Sequence, residues 1–309
     1  MPSLGDFIHA QYLLKIPIPT HSFASRTILI TGANGGLGQE TAQHFVRLGA
    51  SKVILACRSL AKGKITKLAI EKALGCGPSV LEVWELDLES PSSISALVSR
   101  VNTLERVDVV VNNAGIHTMS GFRTVYGTER ALGVNTIGTF LLAFQLLPKM
   151  KETAGRYVVT PVMTTVTSAL YEGAKYPEGC EDAFAWCADE GNVEATGMAA
   201  QYDLSKLLQV YVLIRLAERV DGLGNDLAGV VKVFMKVFQA MTARTAEEGA
   251  RLVVQSASAG REQHGKYMRC GEVRAYHPVA LDKNMGDEVW RALCNRLQEL
   301  QPGVMRCLE

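Results

Sequence analysis

The chain has 309 residues, 48% of them hydrophobic, and a formal net charge of +1, enough apolar sequence for one large α/β core. A near-neutral balance with no Lys/Arg cluster excludes a polyanion-binding surface, so no nucleic-acid partner is expected. Seven cysteines, at positions 57, 76, 180, 187, 270, 294 and 307, form no C-x-x-C and no metal-type spacing. That pattern predicts reduced thiols, an intracellular setting and no metal site.

Residues 1–25 lack the basic start and continuous apolar core of a signal peptide. Phe7, Tyr12, Leu13, Leu14 and Ile16 give this leader a short apolar face, read as docked on the body or frayed in preference to a membrane-surface anchor. No run approaches the roughly 18 apolar residues of a membrane span, and a cytoplasmic protein is expected.

Thr27-Ile28-Leu29-Ile30-Thr31 is a strand-forming run that feeds Gly32-Ala33-Asn34-Gly35-Gly36-Leu37-Gly38, and residues 39–48 continue as an amphipathic helix. Strand, glycine turn and helix suit a pyrophosphate: glycines allow close backbone approach, and the helix N-terminus offers unpaired N–H groups. The spacing is G-x-x-x-G-x-G. A second buried strand is expected over 52–58, then a helix over 59–74 ended by Gly75-Cys76-Gly77-Pro78. Residues 80–88 read as a third strand, and Ser90-Pro91 opens a helix to about 104. A fourth strand over 108–112 ends on Asn113-Ala114-Gly115, residues 126–150 read as one long helix, and 161–168 as a fifth strand. This alternation predicts a doubly wound parallel sheet with ligands at the strands' carboxyl ends. No repeat or linker interrupts it, so residues 1–309 are expected to form a single domain.

Thr31-Gly32-x-x-x-Gly36-x-Gly38, Asp87, Asn112-Asn113-Ala114-Gly115, Asn135, Ser168 and Tyr202-x-x-x-Lys206 resemble, in order and near spacing, the classical short-chain dehydrogenase/reductase family over most of 26–219. Leu55-Ala56-Cys57-Arg58-Ser59 and Val134-Asn135-Thr136-Ile137-Gly138-Thr139 are similar to retinol-dehydrogenase-like and fungal secondary-metabolism members. The resemblance implies a Rossmann-like fold whose dinucleotide is held by Gly32, Asn34, Gly36, Leu37, Gly38, Asp87, Asn113, Ala114 and Gly115. It implies catalysis by Asn135, Ser168, Tyr202 and Lys206. Ser168 would donate to the substrate carbonyl, Asn135 would hold a water linking Lys206 to solvent, and Lys206 would bind the nicotinamide ribose. It also implies a homodimer or homotetramer built through helices 126–150 and 203–219.

Cofactor choice is argued at the end of the second strand. A fold of this kind places an acid about 20 residues past the glycines to bind the ribose of NAD. Arg58 stands there instead, with Lys62 one turn on, and a guanidinium suits the 2′-phosphate of NADP(H). The bland reading is an Arg snorkelling at a strand end. Tyr202 and Lys206 are four apart and share a helix face, where an ammonium, helped by the nicotinamide's positive charge, is expected to lower the phenol from its usual pKa near 10. Either residue alone is unremarkable on an amphipathic helix. Residues 173–201 are longer than the family spacing, rich in acids and read as a substrate-side flap.

The pattern breaks after the Tyr202 helix, which is expected to end near 220. A sixth strand ending in Pro-Gly is missing or remodelled, because no proline occurs between Pro177 and Pro278 and 227–241 reads as an apolar helix. A sequence error, a degenerate member or a strand around Val230-Val231-Lys232-Val233-Phe234 all remain open. Residues 242–257 then read as a helix and 265–270 as the last strand. The function expected is NADP(H)-dependent interconversion of a ketone or aldehyde and an alcohol on a hydrophobic small molecule, in fungal secondary metabolism. The alternative is a non-redox member, an NADP-bound scaffold or an isomerase/cyclase.

Overall fold

Alternation along the first strand, β1 (Thr27–Thr31), decides the layering: Leu29 packs into one hydrophobic core while Ile28 and Ile30 pack into another, all three fully buried. A strand apolar on both faces must lie in the middle of a sheet with helices on each side. The structure, a computed structural model, describes residues 16–222, 232–237, 245–260 and 263–308.

From β1 the chain turns through the glycines into α1 (Gly36–Arg47), then β2 (Lys52–Cys57), α2 (Leu60–Leu74), β3 (Leu81–Glu85) and α3 (Pro91–Asn102). Ser59 and Ser90 cap α2 and α3 as side-chain acceptors, which sets both helix starts. After β4 (Val109–Asn112) comes a small ribbon of β5 (Thr124–Val125) and β6 (Thr128–Glu129). The long helix expected over 126–150 therefore starts later. Tyr126 and Gly127 hold φ of 58° and 71°, a left-handed turn no helix accommodates, and the helix begins at Arg130. It passes through a π turn (Gly133–Gly138) into α4 (Thr139–Arg156). β7 (Val162–Thr167) and α5 (Met198–Gly222) follow as expected.

Beyond α5 the expectation of a helix over 227–241 is corrected. Lys232–Val237 is a strand, β8, paired in parallel with all six residues of β7 and on its other side with β9 (Tyr267–Arg269). The sixth strand is thus present. A run that satisfies both open edges of a sheet gains two ladders of hydrogen bonds, which outweighs helical patterning. The rest of 227–241 lies outside the described residues. α6 (Ala246–Ala257) starts at a capping box made by Thr245 and Glu248. The sheet order is β10-β9-β8-β7-β4-β1-β2-β3, parallel except for β10 (Glu272–Arg274), and the chain ends in α7 (Lys283–Leu300) and a short 3-10 turn (Val304–Leu308). Successive strands run outward from β1 in one direction and from β4 in the other, so the crevice between their carboxyl ends is the topological switch point.

Residues 1–15 of the leader lie outside the described residues. Ile16 and Phe23 are buried, with Phe23 edge-on to Phe45 of α1 at 4.8 Å. The expected flap is a packed helical segment. Ala183–Trp186 and Glu190–Thr196 are helices whose Phe184, Cys187 and Val193 are buried, and Asp182 pairs with Arg296 of α7 at 2.8 Å. Among the described residues, one helix (Arg130–Arg156, mean hydropathy 1.4) is long and apolar enough to cross a membrane, and 89% of its apolar window is buried inside the protein.

Candidate active site

The glycine turn is clamped to the β4 loop by hydrogen bonds. Thr31 Oγ1 accepts from the backbone N–H groups of Asn113 (3.0 Å) and Ala114 (2.9 Å), and Asn113 Nδ2 donates to the Thr31 carbonyl at 2.8 Å. A Cβ on Gly38 would lie 2.5 Å from the Gly32 carbonyl, and one on Gly32 would lie 2.9 Å from Ala114 Cα. These glycines are required by close packing, and Gly32 also by its φ of +66°. Gly35 and Gly36 face open space, and α1 carries no side-chain cap, so its first N–H groups are left for another acceptor.

In front of this turn lies a crevice of about 310 Å³ lined by Gly32, Asn34, Arg58, Lys62, Asp87, Asn113, Ala114 and Gly115, all on the sequence-predicted list. Cys57, Leu88, Glu89, Ile116 and Val134 also line it and were not foreseen. Gly36, Leu37 and Gly38 sit behind it as the start of α1. Arg58 and Lys62 are exposed at one end, with Arg58 Nη1 3.7 Å from Glu89 Oε1. Glu89 also pairs with Arg130 at 2.6 Å and with Arg123, so one carboxylate faces three guanidiniums. Asp87 accepts from the Glu89 N–H at 3.0 Å, whereas the cap of α3 is Ser90. A larger cavity of about 550 Å³ lies at the amino ends of β1 and β4, near Arg26, Asp108 and Tyr157, and no predicted site residue lines it.

At the other end of the crevice stand the residues predicted to carry chemistry. A Cβ on Gly115 would come 3.6 Å from Lys206 Nζ and 3.2 Å from Asn135 Oδ1, so loop, π turn and α5 meet there. Lys206 Nζ is 5.5 Å from the Tyr202 ring centre. Ser168, buried at the end of β7, is a hydrogen-bond partner of the Tyr202 phenol and accepts from the Leu170 N–H at 3.3 Å. His117, exposed on the loop after Gly115, stacks on Tyr202 with centroids 4.4 Å apart. Nothing in the residue pattern singled out His117 beyond its place next to this loop.

Asn135 is fully buried. Its Oδ1 accepts from the Ile116 N–H at 2.8 Å, and its Nδ2 donates to the Ile116 carbonyl and to Ser205 Oγ, both at 2.9 Å. The Asn135 carbonyl accepts from Gln209 Nε2. Lys206 Nζ donates to Gln209 Oε1 (3.1 Å) and to the Val166 carbonyl (3.3 Å).

The electrostatics differ in one respect from the expectation. Burial raises the Tyr202 phenol above its ordinary value, outweighing the Ser168 hydrogen bond, instead of an ammonium lowering it. Lys206 is itself desolvated, and burial pushes its pKa down to about 7. A phenol held protonated beside an amine whose charge burial disfavours can donate a proton to a developing alkoxide and be reloaded.

Residues 26–176 match the family described as short chain dehydrogenase. The chain is similar to a short chain dehydrogenase/reductase of Cryptosporiopsis sp., 36% identical over 323 residues that cover 96% of this chain and 98% of that protein. It is similar also to a short chain dehydrogenase of Emericella nidulans, 38% identical over 289 residues that cover 86% of this chain and 90% of the other. Among solved structures, an uncharacterized protein of Mycobacterium paratuberculosis matches with a TM-score of 0.72 at 26% identity, covering 90% of this chain and 96% of that one. A metagenomic short-chain oxidoreductase crystallised with NADP shares the fold at a TM-score of 0.58 and 21% identity, over 80% of this chain and 98% of its own.

Proposed function

The chain belongs to the short-chain dehydrogenase/reductase family of oxidoreductases, and from that premise we propose that it uses NADP(H) to interconvert a ketone or aldehyde and an alcohol on a hydrophobic small molecule. The observation that carries the proposal is the convergence at Gly115, which lines the crevice and at which an added Cβ would lie 3.6 Å from Lys206 Nζ. A setting in fungal secondary metabolism, in the cytoplasm, belongs to the same proposal and draws on the fungal origin of the relatives.

The residues present fit a dinucleotide. The uncapped N-terminus of α1 and the open backbone at Gly35 and Gly36 suit the pyrophosphate. Asn34, Leu37 and Gly38 shape the turn that brings that backbone forward, while Asp87, Asn113 and Ala114 would hold the adenosine half. Arg58 and Lys62 are exposed in this crevice and suit a 2′-phosphate. Lys206 would hold the nicotinamide ribose.

When bound, the nicotinamide supplies or takes up the hydride. In this scheme Ser168 donates its hydroxyl hydrogen to the substrate oxygen and Tyr202 gives or takes the proton. Burial keeps that phenol protonated, the form that reduction requires. Asn135, through its bonds to Ile116 and Ser205, ties the Gly115 loop to α5. The segment over 173–201 leaves the strand beside Ser168 and re-enters at α5, so it is assigned the substrate side. The non-redox alternative drew its support from the absent Pro-Gly segment; β8 supplies the strand expected there, although no proline follows it before Pro278.

The test is absorbance at the reduced-nicotinamide band with a panel of hydrophobic ketones, using NADPH and NADH separately. Oxidation of NADPH in preference to NADH, with the preference lost in Arg58→Ala, is expected. No oxidation of either nucleotide, or an unchanged preference in the variant, contradicts it.

A further inference from the structure

Three groups on one stretch of α5 and the π turn form a hydrogen-bonded chain with Gln209 at its middle. Lys206 Nζ donates to Gln209 Oε1 at 3.1 Å, and Gln209 Nε2 donates to the carbonyl of Asn135. Both side chains are buried, Lys206 at 4% and Gln209 at 1% exposed, so each of these bonds is made away from bulk water. Gln209 is one turn beyond Lys206 on the same helix face, and its two amide atoms fit the two unlike demands made on it: an acceptor for the amine and a donor for the carbonyl. The π turn frees that carbonyl. In an α-helix it would accept from Thr139, whose N–H bonds instead to Thr136 and Val134.

We propose that Gln209 is a positioning residue for Lys206: its carboxamide pins the amine and ties the helix bearing Tyr202 to the π turn bearing Asn135. This rests on the assignment of Lys206 made above. An ammonium has three N–H donors. Val166 and Gln209 accept two, which leaves the third directed by elimination toward Gly115 and the crevice. Because both acceptors are dipoles aimed at the amine, they favour its charged form and offset part of the cost of burying it. A carboxamide neither gains nor loses a proton at ordinary pH. Through Gln209 this hydrogen-bonded chain therefore fixes Lys206 without itself serving as a proton exit.

Among the described residues, the titratable side chain facing Lys206 is Tyr202 on its own helix. β7 faces it with the Val166 carbonyl, the π turn with Asn135 and the β4 loop with Gly115, none of them ionisable. Burial alone accounts for its lowered proton affinity, so a change at Gln209 is read by Lys206 without competition from another charge.

The experiment compares wild type, Gln209→Leu, Gln209→Glu and Lys206→Met in two measurements. The first is melting temperature against pH between about 6 and 8.5, without added nucleotide, each profile referred to Lys206→Met so that the cysteines and tyrosines cancel. A lysine whose folded pKa lies below its unfolded one binds more protons unfolded, so stability rises with pH above the folded pKa. The onset of that rise is expected near pH 7 in wild type. It should move down in Gln209→Leu and up by 1–3 units in Gln209→Glu, the range for an opposite charge in direct contact. The second is the pH profile of kcat/KM with NADPH, whose alkaline limb should move in the same two directions. Coincident onsets in all forms, or shifts of the same sign in both variants, overturn the proposal. Should Leu or Glu prevent folding, Gln209→Asn keeps the amide but is too short for both partners, and a wild-type onset in it is equally contrary. Wild type that titrates as described but turns over no substrate would defeat the redox reading and leave Gln209 standing.

Discussion

Lys206 is buried as an amine for which the molecule gives up stability, because desolvation opposes its charge and no carboxylate among the described residues compensates it. Lys206→Met should therefore raise the melting temperature at pH 6, where the wild-type amine is charged, while removing turnover. Scanning calorimetry beside a rate assay checks both, and a lower melting temperature would contradict the burial argument. Its folded pKa is depressed, so in wild type stability climbs with pH from about 7 and the advantage of Met shrinks. At the other end of the crevice Glu89 competes with any phosphate for Arg58. Glu89→Gln is expected to increase the ratio of NADPH to NADH affinity several-fold, by calorimetric titration of both nucleotides. A fall would mean that Glu89 recognises the ribose hydroxyls. Tyr202, Lys206 and Ser168 were legible as residue types at set spacings. Gln209 was not, since a glutamine three residues past a lysine has no meaning until the π turn aims the Asn135 carbonyl at it.

Among elements, the junction of β1, α1 and the β4 loop turns on Thr31, whose hydroxyl oxygen takes two backbone N–H groups at once. Thr31→Val keeps the shape and removes the acceptor, leaving two donors unsatisfied. A loss of about 1–3 kcal/mol is expected by chemical denaturation, with weaker nucleotide binding, and an unchanged midpoint would contradict it. The strands up to β7 were readable because they are short apolar runs bounded by turn residues and caps such as Ser59 and Ser90. Two segments were not. Residues 126–129 look helical by apolarity, yet left-handed backbone at Tyr126 and Gly127 makes them a ribbon. Lys232–Val237 carries no local strand signature strong enough to overrule a helical pattern, and its state is decided by neighbours on both sides. Its amides should accordingly exchange slowly with deuterium, and exchange as fast as a free peptide would contradict β8.

On the scale of the molecule, α4 and α5 have their outer faces covered by the chain itself. Trp290, Leu293 and Leu297 of α7 join the core that holds Phe144 and Tyr211, with Phe144 and Trp290 rings 5.9 Å apart. Polar bonds fix the cover: Arg215 to the Lys283 carbonyl at 2.7 Å and to Asp287 at 2.8 Å, Tyr211 to the Val279 carbonyl, and Lys151 to the Cys307 carbonyl at 2.6 Å. Helices expected to meet a second copy are thus already partnered by α7. Light scattering is expected to give the mass of one chain, 33.5 kDa, and removal of residues 283–309 to give association or aggregation. A wild-type dimer would place its interface elsewhere. The central claim is that the phenol of Tyr202 works at the end of the glycine-lined crevice. Its most direct measurement is NADPH oxidation with a hydrophobic ketone by wild type and Tyr202→Phe, with NADPH affinity measured on both. Turnover in wild type, a loss of at least about a hundredfold in the variant and equal affinity in the two are predicted; a variant that still turns over at the wild-type rate would contradict the account.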